Sequence, residues 1–431
     1  METSILYYIK DPIPFVMLGG MSGVGKTTLI DELISAYPDF FAQPISFTSR
    51  AKRNDYDRYI FIDAGSLISM YNIGELLNLD YVHNNYYGIS KNGIVEIIEK
   101  GMIPIKEIHP ENFHKFSTIG INSIRILIQN RHLTQESSPF LLRSGRNKDD
   151  FDFEGFSDYD IAININNLSP CDAAIYLIKR VLAYKIHLST YPHPSEIDCI
   201  NRIGYSKIAS EFHDELRITT KNFHDASLNF WHRHLEKIAK FGKEKNVLEL
   251  GPGNGWLFNS IGILPDNIFF AEIAPEMNAC SDKKVFISNA RNIPTSASYF
   301  DLVVGSLIDP LLNAEVFIEV ERILKPGGEF IFTVPSSDWA NNLNDRENKN
   351  QTTFTLLSGE KVNVFSFCNA LSIHLSIAAF SDLKIEEVSE LRLEKCYEQN
   401  ISKAIFDSAR NAGKTIYELP IVLGIKMKKK I

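Results

Sequence analysis

The stretch Gly20-Met21-Ser22-Gly23-Val24-Gly25-Lys26-Thr27 decides the fold of the first part of this chain. It matches the pattern G-x-x-x-x-G-K-[S/T], in which glycines let backbone N–H groups turn inward around a phosphate. An apolar run at residues 14–18 precedes the loop and predicts a buried strand, and residues 28–34 after it have helical spacing. A strand, a glycine loop and a helix in this order predict a parallel α/β domain that binds a nucleotide.

The residues of this loop have distinct expected roles. Lys26 is expected to reach the β- and γ-phosphates of ATP, and the Thr27 hydroxyl is expected to hold Mg²⁺ as a metal ligand. Because phosphoryl transfer depends on positioning and charge neutralisation, Lys26 is also a candidate catalytic residue. The residues predicted to bind ATP are Gly20, Ser22, Gly23, Gly25, Lys26, Thr27 and Thr28.

Length and composition set wider limits on the protein. A chain of 431 residues is too long for one ordinary core and predicts two or three domains. The net charge of −8 does not favour nucleic-acid binding, which needs a basic face. The five cysteines form no C-x-x-C pair, so neither a zinc site nor a disulfide framework is indicated. Neither a signal-like N-terminus nor an apolar run of about 18 residues is found, which predicts a cytoplasmic enzyme without membrane contact.

A second glycine signature lies far downstream. Residues 246–250 read as a strand, and Gly251-Pro252-Gly253-Asn254-Gly255 follows directly. A second strand at residues 268–272 ends in Glu272, about 20 residues on, where a carboxylate commonly holds ribose hydroxyls. Two further strands are predicted at 300–304 and 329–334, the latter after a Lys-Pro-Gly-Gly turn.

This set of features resembles the class I S-adenosylmethionine-dependent methyltransferases over residues 201–431. The resemblance implies a Rossmann-like fold, binding of S-adenosylmethionine and transfer of its methyl group to a small molecule. A Rossmann-like domain with another ligand is the alternative. The residues that the resemblance places around the cofactor are Glu249, Gly251, Gly253 and Gly255 at the methionine part, Glu272 at the ribose, and Ile273, Asn289 and Ala290 at the adenine.

The first part of the chain resembles the guanylate kinases over about residues 14–185. The resemblance is carried by the glycine loop, the run Ser46–Arg53, the Asn-Tyr-Tyr-Gly stretch at 85–88 and a strand at 103–108. It implies a grip on the phosphate of a small nucleotide-like acceptor, with Glu107 as a catalytic residue between the metal and that acceptor. The residues implied in the phosphate grip are Ser46, Arg50, Arg53, Tyr59 and Tyr87.

Three departures from that family bear on the acceptor. Asn78 stands where guanylate kinases read guanine with a glutamate, Ile89 stands where they have a small hydroxyl residue, and His109 replaces an acidic residue. A carboxylate accepts two hydrogen bonds from guanine, whereas the asparagine amide has one acceptor oxygen. We therefore expect GMP to be a poor acceptor. A modified purine nucleotide, another nucleoside monophosphate and a phosphosugar remain open.

The lid of the kinase-like domain is also altered. Guanylate kinases close an arginine-rich flap over the phosphates, and the matching stretch here, residues 140–148, is short. Arg146 can stand for one catalytic lid arginine, with Arg143 nearby, but the last lid arginine has no clear counterpart. Since loss of a cation at the transferring group slows phosphoryl transfer strongly, both a slow kinase and a domain that only binds a nucleotide remain open.

The domain limits follow from a proline-containing segment. We expect a kinase-like domain at 1–188, a linker at 189–200 and the methyltransferase domain at 201–431, with a helical lead-in over residues 205–239. Asp309 and Asp338 follow strand ends, where substrates bind in such sheets, and are candidate bases.

The sequence thus predicts a bifunctional transferase. The alternative is a methyltransferase whose kinase-like domain only binds a nucleotide or a partner.

Overall fold

The computed structural model divides the chain into two compact units, residues 1–185 and 186–431. The residues that it describes are 9–10, 12–21, 23–52, 58–82, 84–113, 116, 121–130, 159–212, 216–240, 245–262, 265–277, 284–309, 312–343, 350–395 and 400–431. Each unit contains a largely parallel sheet with helices, so the predicted fold class of two α/β domains is confirmed.

The N-terminal unit is built on a five-stranded parallel sheet in the order β2-β7-β1-β8-β9. All five residues of the central strand β1 are buried, as expected for a strand covered on both faces. The strand predicted before the glycine loop is therefore confirmed. The strands of this sheet are β1 Phe15–Gly19, β2 Phe41–Ala42, β7 Ile103–Glu107, β8 Ser123–Gln129 and β9 Ile161–Asn164.

A second, four-stranded sheet in the same unit has the order β4-β3-β6-β5. Strands β3 and β6 pair antiparallel, so that Thr48 lies opposite Tyr87, and β5 and β6 pair so that Asp80 lies opposite Tyr87. This sheet carries two of the residues expected to hold the acceptor phosphate, Ser46 and Tyr87. Its strands are β3 Ser46–Thr48, β4 Ile60–Phe61, β5 Asp80–Val82 and β6 Asn85–Ile89.

Helices connect the strands of the N-terminal unit. Helix α1 begins directly after the glycine loop, and α2 and α3 begin at side-chain caps, where Asp63 and Ser90 accept hydrogen bonds from backbone N–H groups. Helix α4 has 19 residues and is the longest of these four helices. The helices are α1 Lys26–Ala36, α2 Ala64–Asn72, α3 Lys91–Glu99 and α4 Pro170–Leu188.

The C-terminal unit contains a seven-stranded sheet in the order β12-β11-β10-β13-β14-β18-β17. The first five strands in this order are parallel, and β18 pairs antiparallel with both β14 and β17. The strands predicted at 246–250, 268–272, 300–304 and 329–334 are confirmed. The strands are β10 Asn246–Leu250, β11 Asn267–Glu272, β12 Lys284–Ile287, β13 Phe300–Gly305, β14 Leu324–Pro335, β17 Leu383–Leu391 and β18 Val422–Lys429.

The predicted helical lead-in of the C-terminal unit consists of two helices with an interruption between them. Helix α5 ends at Ile208, a 3-10 turn follows, and Phe212 has a non-helical backbone. The Phe212 ring contacts those of Tyr205 and Phe354 at centroid distances of 6.2 and 6.1 Å. Tertiary packing of this aromatic side chain therefore accompanies the break. The helices are α5 Pro194–Ile208, α6 Ile218–Lys240, α7 Trp256–Ile261, α8 Ala314–Ile323, α9 Ser337–Ala340, α10 Leu371–Ala378 and α11 Lys403–Asn411.

A two-stranded hairpin of β15 Gln351–Thr355 and β16 Lys361–Phe365 packs against α5 and was not predicted. Gly204 lies at the closest approach, where a Cβ atom would come within 2.5 Å of the Val364 side chain. Only glycine fits there without movement of the hairpin, because helix and strand backbones are in near contact. The described helices include none that is long and apolar enough to cross a membrane.

A buried ion pair closes the turn that leads into β14. The Arg322 guanidinium donates two hydrogen bonds to the Glu319 carboxylate and one each to the carbonyls of Ile293 and Thr295. Both side chains are almost completely buried, at 1% and 0% exposure. Removal of one partner from such a pair leaves an uncompensated charge in the core.

We predict that Arg322→Ala destabilises the C-terminal unit by about 3–5 kcal/mol. The control is Arg410→Ala, because the Arg410 side chain is 73% exposed and its pair with Asp407 contributes little. All three tryptophans lie in the C-terminal unit, so tryptophan fluorescence during urea unfolding reports on that unit alone. Equal unfolding midpoints for the two variants would contradict the prediction.

Candidate active sites

The glycine loop in the N-terminal unit has the backbone shape that a phosphate site needs. Gly20, Gly23 and Gly25 have positive φ angles of 143°, 81° and 105°, which side chains other than glycine rarely adopt. A Cβ atom on Gly20 would also lie 2.4 Å from the carbonyl oxygen of Ile128. The Lys26 ammonium lies inside the loop, where it donates to the Gly20 and Met21 carbonyls at 2.8 Å each.

The predicted metal ligand and the predicted catalytic carboxylate are in direct contact. Thr27 Oγ1 donates a hydrogen bond of 2.6 Å to Glu107 Oε1. The contact arises because Glu107 ends β7, which pairs with β1 immediately before the loop. A hydroxyl and a carboxylate oxygen are the kind of ligands that Mg²⁺ prefers. Thr28 is exposed on the first turn of α1, and Ser22 lies outside the described residues.

One cavity joins the loop to the smaller sheet. It is lined by Lys26, Ser46, Tyr59, Tyr87 and Glu107, among others. The structure therefore brings together residues that the sequence analysis assigned to ATP, to catalysis and to the acceptor phosphate. The residues expected at ATP thus lie in the same cavity as those expected at the acceptor phosphate, and in-line phosphoryl transfer requires these two ligands to be adjacent.

The predicted phosphate grip forms an aromatic and cationic cluster. The Tyr59 and Tyr87 rings meet edge to face at 5.7 Å, and the Arg50 guanidinium lies 5.4 Å from the Tyr59 ring centre. Ser46 is buried, and its hydroxyl donates to the Pro44 carbonyl. Two further predicted residues, Arg53 and the lid arginine Arg146, lie outside the described residues, as does Arg143.

Lys106 is a cavity residue that sequence reasoning missed. Its side chain leaves β7 toward the cavity, and Nζ lies 4.4 Å from the centre of the Tyr59 ring. Burial lowers the pKa of Lys106 to about 8, although the neighbouring Glu107 opposes the shift and Arg58 adds to it. The signal was a single lysine inside an apolar strand, where a charged residue is seldom buried without a partner or ligand.

The residues expected to read the acceptor base are arranged differently from the prediction. Asn78 is buried; its Oδ1 accepts a hydrogen bond from the backbone N–H of Ile89 at 3.2 Å. Its Nδ2 donates to Asp80 Oδ2 at 2.7 Å. Asp80 is itself buried, and it lines the cavity. Ile89 and His109 also line this cavity. The Asn78 amide therefore acts mainly as a structural bridge between strands.

The C-terminal unit has its own cavity at the carboxyl ends of β10, β11 and β13. Gly251, Gly253 and Gly255 have positive φ angles of 60°, 55° and 75°, and the last of these starts helix α7. This is the edge of a parallel sheet at which ligands commonly bind. The predicted cofactor residues that line the cavity are Glu249, Gly251, Gly253, Glu272, Ile273, Asn289 and Ala290.

Two buried carboxyl groups face this cavity. Burial raises the pKa of Glu272, while the N–H groups of Ala274, Gly253 and Ile273 that donate to it act in the opposite direction. Burial, with a smaller contribution from Glu272, raises the pKa of Glu249 to about 8. Glu249 Oε2 has no hydrogen-bond partner among the described residues. Two carboxyl groups in this state favour a ligand that brings positive charge and hydrogen-bond donors.

The adenine end of the predicted cofactor site contains a polar network. Asn289 Oδ1 accepts from the backbone N–H of Arg291 at 3.0 Å, and its Nδ2 donates to Asp198 at 3.3 Å. The Arg291 guanidinium binds both Asp198 and Glu315. Asn289 is thus held in place by protein partners, with one lone pair of its oxygen remaining for a ligand.

The candidate bases of the C-terminal unit differ in position. Asp309 is buried beside the cavity, where its carboxylate accepts from the Ser366 hydroxyl, but the lining includes Ile308 rather than Asp309 itself. Asp338 is exposed. Tyr205, which no motif marked, lines the cavity, and burial together with Asp309 and Glu272 raises its pKa.

The histidines in the lead-in helix serve different surroundings. His224 lines the cavity and stacks on Trp256 with a centroid distance of 3.9 Å. His232 and His234 instead lie near the carboxylates of Glu236 and Glu387. His213 lies outside the described residues.

Two family models match separate parts of the chain. The guanylate kinase model matches residues 13–149, and a methyltransferase domain model matches residues 248–332. The two matches fall within the N-terminal and the C-terminal unit, respectively.

Curated relatives match the N-terminal part. Guanylate kinase 1 of Oryza sativa subsp. japonica is 29% identical over 116 residues, which are 26% of this chain and 30% of the rice protein. Guanylate kinase of Trichodesmium erythraeum is 31% identical over 116 residues, which are 26% of this chain and 62% of that protein. The chain thus spans less than two thirds of the length of either relative.

Solved structures resemble each unit in turn. Guanylate kinase of Anaplasma phagocytophilum is 20% identical with a TM-score of 0.31, covering 38% of this chain and 82% of its own. An S-adenosylmethionine-dependent methyltransferase of Mesorhizobium loti is 14% identical with a TM-score of 0.31, covering 47% of this chain and 98% of its own. With the two family models, the resemblance expected from the sequence is confirmed: the chain joins a guanylate kinase-like domain to a methyltransferase-like domain.

Proposed function

We propose that the chain is a bifunctional transferase. The N-terminal domain would phosphorylate a small phosphorylated, nucleotide-like acceptor with Mg-ATP, and the C-terminal domain would methylate a small molecule with S-adenosylmethionine. The observation that carries the proposal is that each unit has its own cavity where a glycine loop leaves the sheet. Lys26 and Glu107 line the first cavity, and Glu249 and Glu272 line the second.

The kinase reaction needs cations and acceptors at defined places. Lys26 would neutralise the β- and γ-phosphates of ATP, while the contact of Thr27 with Glu107 marks the place for a divalent cation. Ser46, Tyr59 and Tyr87, together with Arg50 and Arg53, would hold the acceptor phosphate, and Arg146 would act from the lid. Lys106 adds a cation to the same cavity.

In the methyl-transfer reaction, the protein would mainly bind the cofactor and orient the substrate. S-adenosylmethionine would supply a methyl group on its sulfonium sulfur. The substrate would attack the methyl carbon in line with the sulfur, which is the leaving group. Glu272 would accept from two ribose hydroxyls, and the unpaired oxygen of Glu249 suits the cationic methionine part. Asp309 lies near enough to contribute to the raised pKa of Tyr205, and both residues are candidates to position or deprotonate a substrate.

The first prediction of this proposal concerns Lys26. We expect Lys26→Ala to abolish measurable Mg-ATP binding by the full-length protein in calorimetric titration, because the phosphates lose their main cation. Lys100→Ala, at an exposed lysine after α3, is the control and should bind ATP normally. Unchanged ATP affinity in Lys26→Ala would show that the loop is not the ATP site.

The same variant separates the two function classes. Under the bifunctional proposal, Lys26→Ala loses phosphorylation and retains methyl transfer to a substrate that is already phosphorylated. Under the alternative, in which the kinase-like domain only binds a nucleotide or partner, the wild type phosphorylates no acceptor in a screen with radiolabelled ATP.

The second prediction concerns Lys106. Its pKa of about 8 lies below the ordinary 10.5, so burial of the protonated amine destabilises the fold. Lys106→Met should therefore raise the melting temperature, most strongly below pH 8, and this gain should shrink as the pH rises from 8 through 10.5, above which the amine is neutral in both states. Calorimetric melting of the full chain measures this effect, with Lys100→Met as the control.

Lys106→Met should also reduce the stabilisation that inorganic phosphate gives to the N-terminal unit, because an anion in the cavity loses a cation. If the melting temperature rises but the effect of phosphate is unchanged, Lys106 is a buried lysine without a binding role.

The third prediction concerns the cofactor. Glu272→Ala and Glu272→Gln should weaken S-adenosylmethionine and S-adenosylhomocysteine binding by about 10-fold or more, because the ribose hydroxyls lose a charged acceptor. Glu276→Ala is the matched control, since Glu276 is close in sequence but exposed. Isothermal titration of the full chain is the measurement, with tryptophan fluorescence to verify folding. If the folded wild type binds neither compound, the cofactor assignment is wrong.

A further inference from the structure

The cavity of the C-terminal unit is lined by a buried histidine to which no motif assigned a role. His187 lies in the last turn of helix α4, within the C-terminal unit, and its side chain is 6% exposed. It lines the same cavity as Glu249 and Glu272. Burial of a polar group without a full set of hydrogen bonds costs free energy, so the hydrogen bonds of this ring bear on its role.

The hydrogen bonds of His187 fix the position of its ring proton. Nε2 lies 2.9 Å from the carbonyl oxygen of Pro192. Because a carbonyl only accepts, Nε2 donates this bond, and the neutral ring then has an unprotonated Nδ1. Nδ1 is buried and has no hydrogen-bond partner among the described residues. The protein therefore holds a nitrogen whose lone pair no protein donor uses.

The surroundings of His187 keep its ring neutral. Burial lowers the pKa of His187 below the ordinary 6.5, and this effect outweighs the hydrogen bond to the backbone carbonyl, which raises the pKa. Charged groups on neighbouring segments act in both directions: Glu315 raises the pKa, whereas Arg291 and His193 lower it. Arg291 is itself paired with Asp198 and Glu315. A neutral imidazole can take up a proton, and Glu315 stabilises the cation that results.

Aromatic rings connect His187 to the strand end where substrates bind in such sheets. The Tyr191 ring centre lies 5.3 Å from that of His187 and 4.9 Å from that of Phe367, and all three residues line the cavity. Phe367 follows Ser366, whose hydroxyl donates to Asp309 just beyond β13. None of the three ring residues belongs to the set assigned to the cofactor. An aromatic wall of this kind suits a flat ring of the second substrate.

We propose that His187 is the general base of methyl transfer, and that its Nδ1 takes the proton from a hydroxyl or N–H group on a flat ring of the methyl acceptor. The inference rests on the proposed function, because it takes the methyl donor to be S-adenosylmethionine. The O–H or N–H bond of the acceptor breaks, and the proton goes to Nδ1. The electron pair left on the acceptor atom forms the bond to the methyl carbon, while the pair of the broken C–S bond stays on sulfur. The positive charge thus passes from the sulfonium to the His187 ring.

The other candidate bases are less suited to this step. The Asp309 carboxylate already accepts from Ser366 and lies beside the cavity rather than in its lining. Burial, together with Asp309 and Glu272, raises the pKa of Tyr205, so its hydroxyl keeps its proton at neutral pH. A neutral His187 ring combines an open lone pair with a place in the lining.

Phenol and thiophenol, as acceptors for radiolabelled S-adenosylmethionine and the full-length protein, provide the test. Phenol has a pKa of about 10 and has to lose its proton during the attack, whereas thiophenol is more acidic and ionises without help at pH 8. His187→Gln keeps a donor for the Pro192 carbonyl and an acceptor oxygen, but an amide cannot take up a proton. The variant should lower kcat with phenol by about 100-fold or more and change kcat with thiophenol little. His232→Gln, at a partly exposed histidine beside Glu236, is the control and should leave both rates unchanged.

Three further measurements separate a base from a structural residue. NMR of the full chain with ¹⁵N-labelled histidine should show, for the signal that His187→Gln removes, a protonated Nε2, an unprotonated Nδ1 and a pKa below 6.5. In the wild type, kcat with phenol should fall as the pH falls through that pKa, because the base becomes protonated, and His187→Gln should lack this fall. Calorimetry should give the same affinity for S-adenosylhomocysteine in both proteins.

The outcomes distinguish this inference from the proposed cofactor. The role of His187 is overturned if a wild type that binds S-adenosylmethionine methylates neither ring compound, or if His187→Gln slows both acceptors equally. Weaker binding of S-adenosylhomocysteine by His187→Gln also overturns it, because His187 would then contact the cofactor. A folded wild type that binds neither S-adenosylmethionine nor S-adenosylhomocysteine overturns the proposed methyl transfer, and the inference with it.

Discussion

Both units depend on the same constraint: the chain must turn through left-handed backbone conformations directly after a buried parallel strand. At Gly20 the constraint is steric as well as conformational, because a Cβ atom would lie 2.4 Å from the Ile128 carbonyl. At Gly251, Gly253 and Gly255 three positive φ angles follow one another within five residues. Such turns point backbone N–H groups at the space beyond the sheet, and they leave room there for a ligand. The positions of both cavities follow from this backbone geometry.

The elements predicted best from the sequence are those whose local pattern and tertiary role agree. Strand β1 is buried at every position, so its apolar run predicted a buried strand clearly. The glycine loop that follows it then predicted a helix directly after the loop. The parallel strands of the C-terminal unit were recognised for the same reason. By contrast, the break between α5 and α6 depends on aromatic contacts of Phe212 with Phe354, which is 142 residues away in sequence. Helical periodicity cannot contain that information.

The candidate sites also combine residues that motifs identify with residues that only the folded structure places there. Motifs identified Lys26, Thr27 and Glu107, and the contact between Thr27 and Glu107 follows from the pairing of β1 with β7. Lys106 and Asp80 belong to no motif, and their importance appears only when strand pairing places them on a common cavity. In the C-terminal unit, the sequence identified Glu249 and Glu272, but the contribution of Glu272 to the raised pKa of Glu249 requires knowledge of how β10 and β11 pair.

The relation between Asn78 and Asp80 shows what the structure adds to a comparison by position. In an extended segment, side chains two residues apart point to the same side, and both of these side chains line the same cavity. The Asn78 amide accepts from the Ile89 N–H and donates to Asp80, so it also supports the strands around that cavity. Position-by-position comparison with a family records only that an amide stands in place of a carboxylate. The structure adds that a carboxylate two residues along the chain, Asp80, lies opposite Tyr87 in the same cavity, and strand pairing rather than any motif places it there.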